Sequence, residues 1–365
     1  MEKPEFRIPT MEEISRLEWN GFNVVSTFSG GGGSCLGYKM ANFHVLWANE
    51  FVEEAQKTYR ANNPDTYLDT RNIREISGES ILSQIKLKKG DIDLFDGSPP
   101  CCAFSSAGKK EKGWGTVRKY SDIAQRVDDL FFEYIRLVDE LKPKTFVAEN
   151  VAGLVRGVAK GYFKEIFKGL KNCGYEVSAR LLSAMWLGCG QRRERLIFVG
   201  VRKDICDKYG VHPCHPKPLG YFYTLGDILK NVKNDEDEEK ELLDEMRKYK
   251  IGKVLRMLPK NPPKPIKGSD VMNGSFFNLI RASMYAPCNT ICQSGGKVSF
   301  SDVCHPFYDR KFTIEELKRI TSVPEDFVLT GNYEKKHERL GRMVPPVMMS
   351  HIAKTIQTEI LEKIK

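Results

Sequence analysis

Phe22-Asn23-Val24-Val25-Ser26-Thr27-Phe28-Ser29-Gly30-Gly31-Gly32-Gly33-Ser34-Cys35-Leu36-Gly37 is the stretch that decides the fold. Residues 22–28, rich in β-branched and aromatic side chains, read as a strand. Four glycines follow at once, and the pattern after them is helical. Strand, glycine-rich turn and helix is the layout that lets backbone N–H groups approach a nucleotide-like ligand closely. The next apolar run, His44 to Ala48, ends in Asn49-Glu50. An acidic residue about 20 residues past the glycines is placed to accept ribose hydroxyls. No Lys-Ser/Thr follows the glycines, which argues against a phosphate-binding P-loop. A nucleoside-type cofactor is the expected ligand.

Outward from this stretch, strands and helices alternate. A short amphipathic helix (Met11 to Trp19) precedes it, and a helix over Glu53 to Asn62 follows the second strand. Asn72-Ile73 follows a presumed third strand, and Ile92 to Asp96 is the next one. Apolar residues at Ile123, Val127, Leu130, Phe131, Tyr134, Ile135, Val138 and Leu141 have helical spacing and predict a core-facing helix over Asp122 to Lys142. Strands at Thr145 to Ala148, Val177 to Ala184 and Leu196 to Val201 complete an α/β, doubly wound, mostly parallel sheet. Beyond Arg202 the rhythm breaks. A loop (His212 to Pro218), an acidic helix-like run (Asn234 to Met246) and a proline-rich connector (Pro259 to Pro265) suggest a smaller, irregular second domain. Its acidic stretch Asp235 to Glu239 is expected to be a solvated helix, since it would repel a polyanion. Regularity returns at Thr313 to Ile320 and in a closing helix, Val347 to Ile364.

Three clusters carry candidate chemistry. Asp93 to Ser105 runs a buried strand into a stiff Pro99-Pro100 turn that presents Cys101 at a strand's carboxyl end, where α/β sheets bind ligands. Taken alone, Cys101 is as readily a small core hydrophobe as an activated nucleophile. Glu149 ends the strand Thr145 to Ala148 and emerges on the same sheet edge; alone it is equally a charge at a helix N-terminus. Gln191-Arg192-Arg193-Glu194-Arg195 precedes a strand, and alternation would point Arg193 and Arg195 the same way as a planar donor pair.

Whole-chain properties narrow the classes. At 365 residues, 41% hydrophobic and 29% charged, the chain can bury a full core in two domains. No apolar signal segment or membrane-length run is present. Ten cysteines without a secretion signal predict reduced thiols in a cytosol-like compartment. A net charge of +9 is compatible with a polyanionic partner. Cys206, His212, Cys214 and His215 fit no closed zinc-site spacing, so no metal is expected. Cys288 and Cys292 read as buried thiols.

The ordered set Phe-Ser-Gly-Gly-Gly-Gly (28–33), Asn49-Glu50, Pro99-Pro100-Cys101, Glu149-Asn150-Val151, Gln191 to Arg195 and Gly341-Arg342-Met343-Val344-Pro345-Pro346 resembles the DNA cytosine-5 methyltransferases of bacteria and phages. Arg310 to Phe327 is similar to that family's penultimate motif. The resemblance implies methyl transfer from S-adenosylmethionine to C5 of a cytosine in duplex DNA. Cys101 would be the nucleophile, Glu149 the carboxyl group at N3 and the exocyclic amine, and Arg193 and Arg195 the arginines holding the flipped base. Phe28, Ser29, Gly30, Gly31, Glu50, Phe51, Asn72, Ile73, Pro100, Leu130, Arg342 and Val344 would line the cofactor pocket. Residues 1–204 with 335–365 would form the catalytic domain, and 205–334 the target-recognition domain and hinge. Ser105, Lys109, Lys110, Lys112 and Arg118, in a closing loop over 104–119, are candidates for DNA contact, with Lys253, Arg256 and Arg281 in the recognition domain. Lys260, Asn273 and Asn278 are weaker ones. A monomer in the cytoplasm of a prokaryotic or phage-infected cell, with a cognate restriction endonuclease acting on the same site, is the implied setting.

The chain departs from the family's pattern at three positions. Ser26 stands where an acidic residue near the methionine amine is common, Cys102 where glutamine is usual, and Arg342 where asparagine is usual. The first and third would make the cofactor's surroundings more positive, which leaves carboxy-S-adenosylmethionine as an alternative donor; Arg342 facing solvent or DNA is the simpler reading. An RNA-directed enzyme of the same fold would carry a Cys-Phe-Thr signature, absent here. A DNA-binding module with a dead site is opposed by the intact Cys101, Glu149 and Arg195.

Overall fold

The computed structural model describes residues 3–100, 129–156 and 159–365, together with the backbone of a hairpin, Arg118–Tyr120 with Ile123–Gln125. Cys101, Cys102, Ser105, Lys109, Lys110 and Lys112 lie outside the described residues, as does the Arg118 side chain. Two compact units are present. The sheet unit comprises residues 17–182, 194–217 and 349–365; the second unit comprises 1–16, 183–193 and 218–348.

Seven strands build the sheet: β1 (Asn23–Thr27), β2 (His44–Asn49), β3 (Tyr67–Asp69), β4 (Leu94–Gly97), β5 (Thr145–Val151), β6 (Tyr175–Ser183) and β7 (Glu194–Arg202). Their order is β3-β2-β1-β4-β5-β7-β6. The first five pair in parallel, and β7 runs antiparallel to β5. This is the doubly wound, mostly parallel sheet expected from the strand–helix alternation. Apolar side chains fill it because both faces are covered: Val24, Val25, Leu94, Phe95, Phe146, Val147 and Phe198 are wholly buried. The chain builds outward from β1 to β3 and then crosses to β4 on the other flank. Order therefore reverses between β1 and β4, and ligands of open α/β sheets bind in the crevice at such a reversal.

Helix Leu130–Leu141 packs on β4 and β5, with the Phe95 and Tyr134 rings stacked 5.0 Å apart and the Tyr134 hydroxyl donating to Val147 O at 2.9 Å. The helical spacing had suggested a start near Asp122. Instead Asp129 stands at the N-cap position, and Ile123–Gln125 is extended in the hairpin. Gly97 is where helix and strand touch most closely. A Cβ there would lie 2.5 Å from the Tyr134 ring and 2.6 Å from Thr27 Oγ1.

The domain boundaries differ from the sequence expectation. Residues 183–193 join the second unit because Gln191–Arg192 pairs with Cys288–Asn289 and Ala184 N donates to Arg193 O. The first sixteen residues also belong there, held by Lys3 on Asp227, Phe6 against Tyr223, and Met11 N on Asp326. Residues 205–217 stay with the sheet unit. The return to the sheet unit comes at 349 rather than 335, since Gly341 of helix Tyr333–Arg342 seats against the backbone of Cys292 and Gln293. Gly341 and Arg342 are the last residues of that helix.

In the second unit, buried cations hold irregular backbone together. Arg281 is 0% exposed, which corrects its reading as a DNA contact. Its guanidinium donates to the carbonyls of Leu255 (2.7 Å), His305 (3.2 Å), Pro306 (3.4 Å) and Tyr308 (3.2 Å), and pairs with Asp309. Lys311 donates to Gly295 O, Lys297 O (2.8 Å) and Phe300 O (2.9 Å). Arg310 grips Glu316 through two bonds of 2.8 and 2.9 Å and also pairs with Glu239. Glu238 accepts from Ile314 N at 2.9 Å. The acidic helix Glu236–Lys248 is therefore anchored by its first turn, not simply solvated.

Two substitutions test these packings. Gly97→Ala should destabilise the protein by about 2 kcal/mol through overpacking, read as a lower denaturation midpoint at unchanged slope. Arg281→Met should cost about 3 kcal/mol, because four carbonyls and Asp309 lose their donor inside the unit. A loss of DNA affinity with unchanged stability would contradict the structural role of Arg281.

Candidate active site

The carboxyl ends of β1, β2 and β3 gather the residues expected at a cofactor. Phe28 leaves β1 in the left-handed region (φ 53°), a strained conformation for an aromatic residue, and Gly30 and Gly32 follow with φ of 56° and 97°. Ser29 N donates to Asn49 O at 3.0 Å, and Gly30 N donates to a Glu50 carboxylate oxygen at 2.7 Å. The other Glu50 oxygen accepts from Val52 N at 2.7 Å. Glu50 and the glycine turn, paired by spacing in the sequence, are thus in contact, with Phe51 next in the chain. Asn72 accepts from Arg74 N, and Arg74 pairs with Asp129 beside Leu130. Arg136 of the same helix donates to Ile73 O at 3.1 Å. Asn72, Ile73 and Leu130 are brought together by these two arginines.

Across the crevice, β5 carries Glu149. Ile197 of β7 is its register partner, and Arg195, two residues earlier on the same face, reaches it diagonally. Arg195 Nε lies 2.6 Å from Glu149 Oε1, with both side chains largely buried. Asn150 Nδ2 donates to Pro99 O at 3.2 Å, which ties the end of β5 to the Pro-Pro turn that leads into Cys101. Arg193 needs a correction. It lies outside β7, in the second unit, so strand alternation does not align it with Arg195. Its guanidinium donates to Ile291 O (3.4 Å) and Arg342 O (3.2 Å).

Asp96, which sequence reading passed over, occupies the reversal point itself. It is 1% exposed; Ser26 Oγ donates to one carboxylate oxygen at 2.8 Å and Tyr38 Oη to the other at 2.9 Å. Ser26 and Asp96 are register partners on β1 and β4. Burial, offset in part by the Ser26 and Tyr38 hydrogen bonds and reinforced by the Glu149 charge, pushes its carboxyl up to about 7. The signal available in the sequence was an acid at the end of the strand run Ile92 to Asp96, directly before Gly97-Ser98-Pro99.

This finding removes the case for a more positive pocket. Ser26 has a carboxylate as its partner, and Arg342 Nε pairs with Glu338 at 2.9 Å within its own helix. Val344 is buried in the second unit. Among the tentative metal ligands, Cys206 and His212 do meet Glu176, with donor atoms within 4.8 Å of one another. Cys214 Sγ points to Thr355 O, and His215 bonds Ser178, so the four do not converge. The eight described cysteines are free thiols; Cys288 is buried and Cys292 half-buried. No helix among the described residues is long and apolar enough to cross a membrane.

The crevice fits a nucleoside-bearing cation. Open space surrounds the position of a Cβ on Gly30, Glu50 stands beside it, and the Ser98 hydroxyl just past β4 is buried with no hydrogen-bond partner among the described residues.

Residues 22–358 match the family model for C-5 cytosine-specific DNA methylases. The chain is 30% identical over 345 residues to Type II methyltransferase M1.HphI of Haemophilus parahaemolyticus, covering 91% of this chain and 86% of that protein. It is 28% identical over 363 residues to M.Eco47II of Escherichia coli, covering 96% and 82%. Among solved structures, a prophage-encoded putative DNA modification methyltransferase from E. coli superposes with a TM-score of 0.67 at 21% identity, covering 94% of this chain and all of that one. Spodoptera frugiperda DNMT2 gives 0.63 at 18%, covering 94% and 99%. These last two show a shared fold. With the family model spanning almost the whole chain and a 30% identical relative covering most of it, this protein belongs to the DNA cytosine-5 methyltransferases and uses S-adenosylmethionine.

Proposed function

We propose that the enzyme methylates C5 of a cytosine flipped out of duplex DNA, through a transient bond between Cys101 Sγ and C6. The observation that carries this reading is the Glu149–Arg195 pair, joined through Asn150 and Pro99 to the turn that precedes Cys101. Cytosine C5 is too weak a nucleophile to take a methyl group directly. Attack of the Cys101 thiolate on C6 moves the ring's electron pair toward C5. The Glu149 carboxyl binds N3 and the exocyclic amine, stabilising the charge that builds as C6 is attacked, and Arg195 orients that carboxyl by holding its Oε1. The glycine turn and Glu50 would hold S-adenosylmethionine, whose sulfonium would supply the methyl group for the new bond at C5 and leave as the thioether of S-adenosylhomocysteine. A base removes the C5 proton, and its electron pair expels Cys101 from C6 as thiolate. The target base sits inside the duplex, so it must leave the stack to reach this site.

DNA contact is supported by charge. Residues 250–301 contain eight Lys or Arg against a single acid, Asp270. Arg281 is committed to the interior, whereas Lys253, Arg256, Lys260, Lys264 and Lys267 are exposed, as are Asn273 and Asn278. Exposed cations of this kind neutralise phosphates and position the duplex. The relatives' designation as Type II methyltransferases supports a companion endonuclease of the same site specificity. Since one chain supplies every residue assigned here, a monomer acting in the cytoplasm, where the DNA is, suffices.

Two outcomes are expected with full-length protein. Cys101→Ser should abolish methyl incorporation into duplex DNA and covalent trapping on 5-fluorocytosine duplexes while retaining S-adenosylhomocysteine binding. Glu149→Gln should slow methylation by roughly 10²- to 10³-fold, because the carboxyl group that stabilises charge at N3 is lost. Equal incorporation into tRNA, or trapping that survives Cys101→Ser, would overturn the assignment.

A further inference from the structure

We propose that Asp96 is the counter-charge for the cationic end of S-adenosylmethionine, acting as a positioning residue through the hydroxyls of Ser26 and Ser29. The inference rests on the cofactor reading above and adds a residue to it.

Three observations carry it. First, the place: Asp96 and Ser26 are register partners on the two strands between which the sheet order reverses. Second, connectivity: Ser29 Oγ, on the glycine turn, lies 3.1 Å from Ser26 Oγ, which donates to Asp96 at 2.8 Å. The carboxylate, itself 1% exposed, thus reaches the turn through a chain of two hydroxyls. Third, charge: the donors to its side chain are neutral, the Ser26 and Tyr38 hydroxyls and the Gly97 N–H, and among the described residues no Lys, Arg or His forms an ion pair with it. Buried carboxylates are ordinarily paired with a cation. A ligand carrying a sulfonium and an ammonium group supplies that charge. Ser26 is also the position at which the family resemblance led one to expect an acid; the acid stands one strand over, hydrogen-bonded to it.

The groups packed around Asp96 allow its titration to be read. Cys35 and Tyr38 come from helix Gly33–Met40, Tyr59 from helix Glu53–Asn62, Tyr134 from helix Leu130–Leu141, and Glu149, paired with Arg195, from β5. Burial raises the two kinds of acidic hydroxyl and thiol group, so Cys35 and the three tyrosines stay protonated through the neutral range. Asp96 titrates near 7. A cation favours the ionised carboxylate, so affinity should be level above that pH. Below it, binding must release a proton, and affinity should fall by up to about tenfold per pH unit.

Calorimetric binding to the full chain tests this, with S-adenosylmethionine and, as a neutral probe of the adenosine pocket, 5′-methylthioadenosine. Asp96→Asn should weaken S-adenosylmethionine by roughly tenfold or more, change 5′-methylthioadenosine by less than about twofold, and remove the proton release. The exchange Ser26→Asp with Asp96→Ser returns the charge to the crevice from the other strand and should restore most of the lost affinity. Unchanged S-adenosylmethionine binding in Asp96→Asn, equal loss for both ligands, or no recovery in the exchange variant would overturn the role. If Asp96→Asn does not fold, wild-type affinity that is flat from about pH 6 to 8 overturns it as well. A wild-type protein that binds neither ligand would instead overturn the cofactor pocket itself.

Discussion

Where β1 and β4 part company, a parallel sheet cannot close over its own carboxyl edge, and the arrangement of the catalytic machinery follows from that constraint. A crossover helix covers each strand pair built in one direction, but none bridges the point where the direction reverses. The backbone N–H groups of the glycine turn therefore remain reachable, and Gly30 N finds the Glu50 carboxylate from the neighbouring strand end. The same geometry places the end of β5 beside the Pro-Pro turn after β4, since the two strands pair in parallel with Gly97 opposite Ala148. The glycine turn and the Pro-Pro turn lie on adjacent stretches of the edge because β1, β4 and β5 are adjacent.

The antiparallel β7 adds what a purely parallel sheet could not. Running against β5, it enters the sheet at the edge where β5 ends, so its first residues lie at the active edge. Arg195 meets Glu149 for that reason. The pair shares a nearly dry setting, where a bidentate-capable guanidinium holds a carboxyl in one orientation more firmly than a flexible ammonium would.

Legibility in the sequence followed periodicity. The parallel strands announce themselves as short apolar runs punctuated by glycine, proline or acid, and helix Glu53–Asn62 falls where its pattern put it. Glu149 and the glycine turn were legible because each lies at the carboxyl end of a strand. The second unit was not, since it is organised by charge buried against carbonyls. Arg281 reads in the sequence as a cation free to meet DNA, yet it, Arg310 and Lys311 are each 1% exposed or less. They satisfy backbone oxygens that short, irregular strands leave without ladder partners. A cation that saturates three or four carbonyls leaves no periodic trace. Arg193 was misplaced for a related reason: a two-residue strand, Gln191–Arg192, interrupts the alternation that seemed to run straight into β7.

Ser26 shows what reading positions singly leaves out. Considered alone, a serine in place of an acid subtracts a negative charge from the crevice, and Arg342 seems to add a positive one. Register changes both terms. A parallel pair sets Ser26 beside Asp96, so the charge is displaced by one strand spacing, about 4.8 Å, and remains within the same buried layer. Helical periodicity sets Arg342 four residues from Glu338, so its charge is answered locally. An electrostatic environment belongs to the pairs that the fold brings together; once those pairs are known, neither departure calls for a different methyl donor.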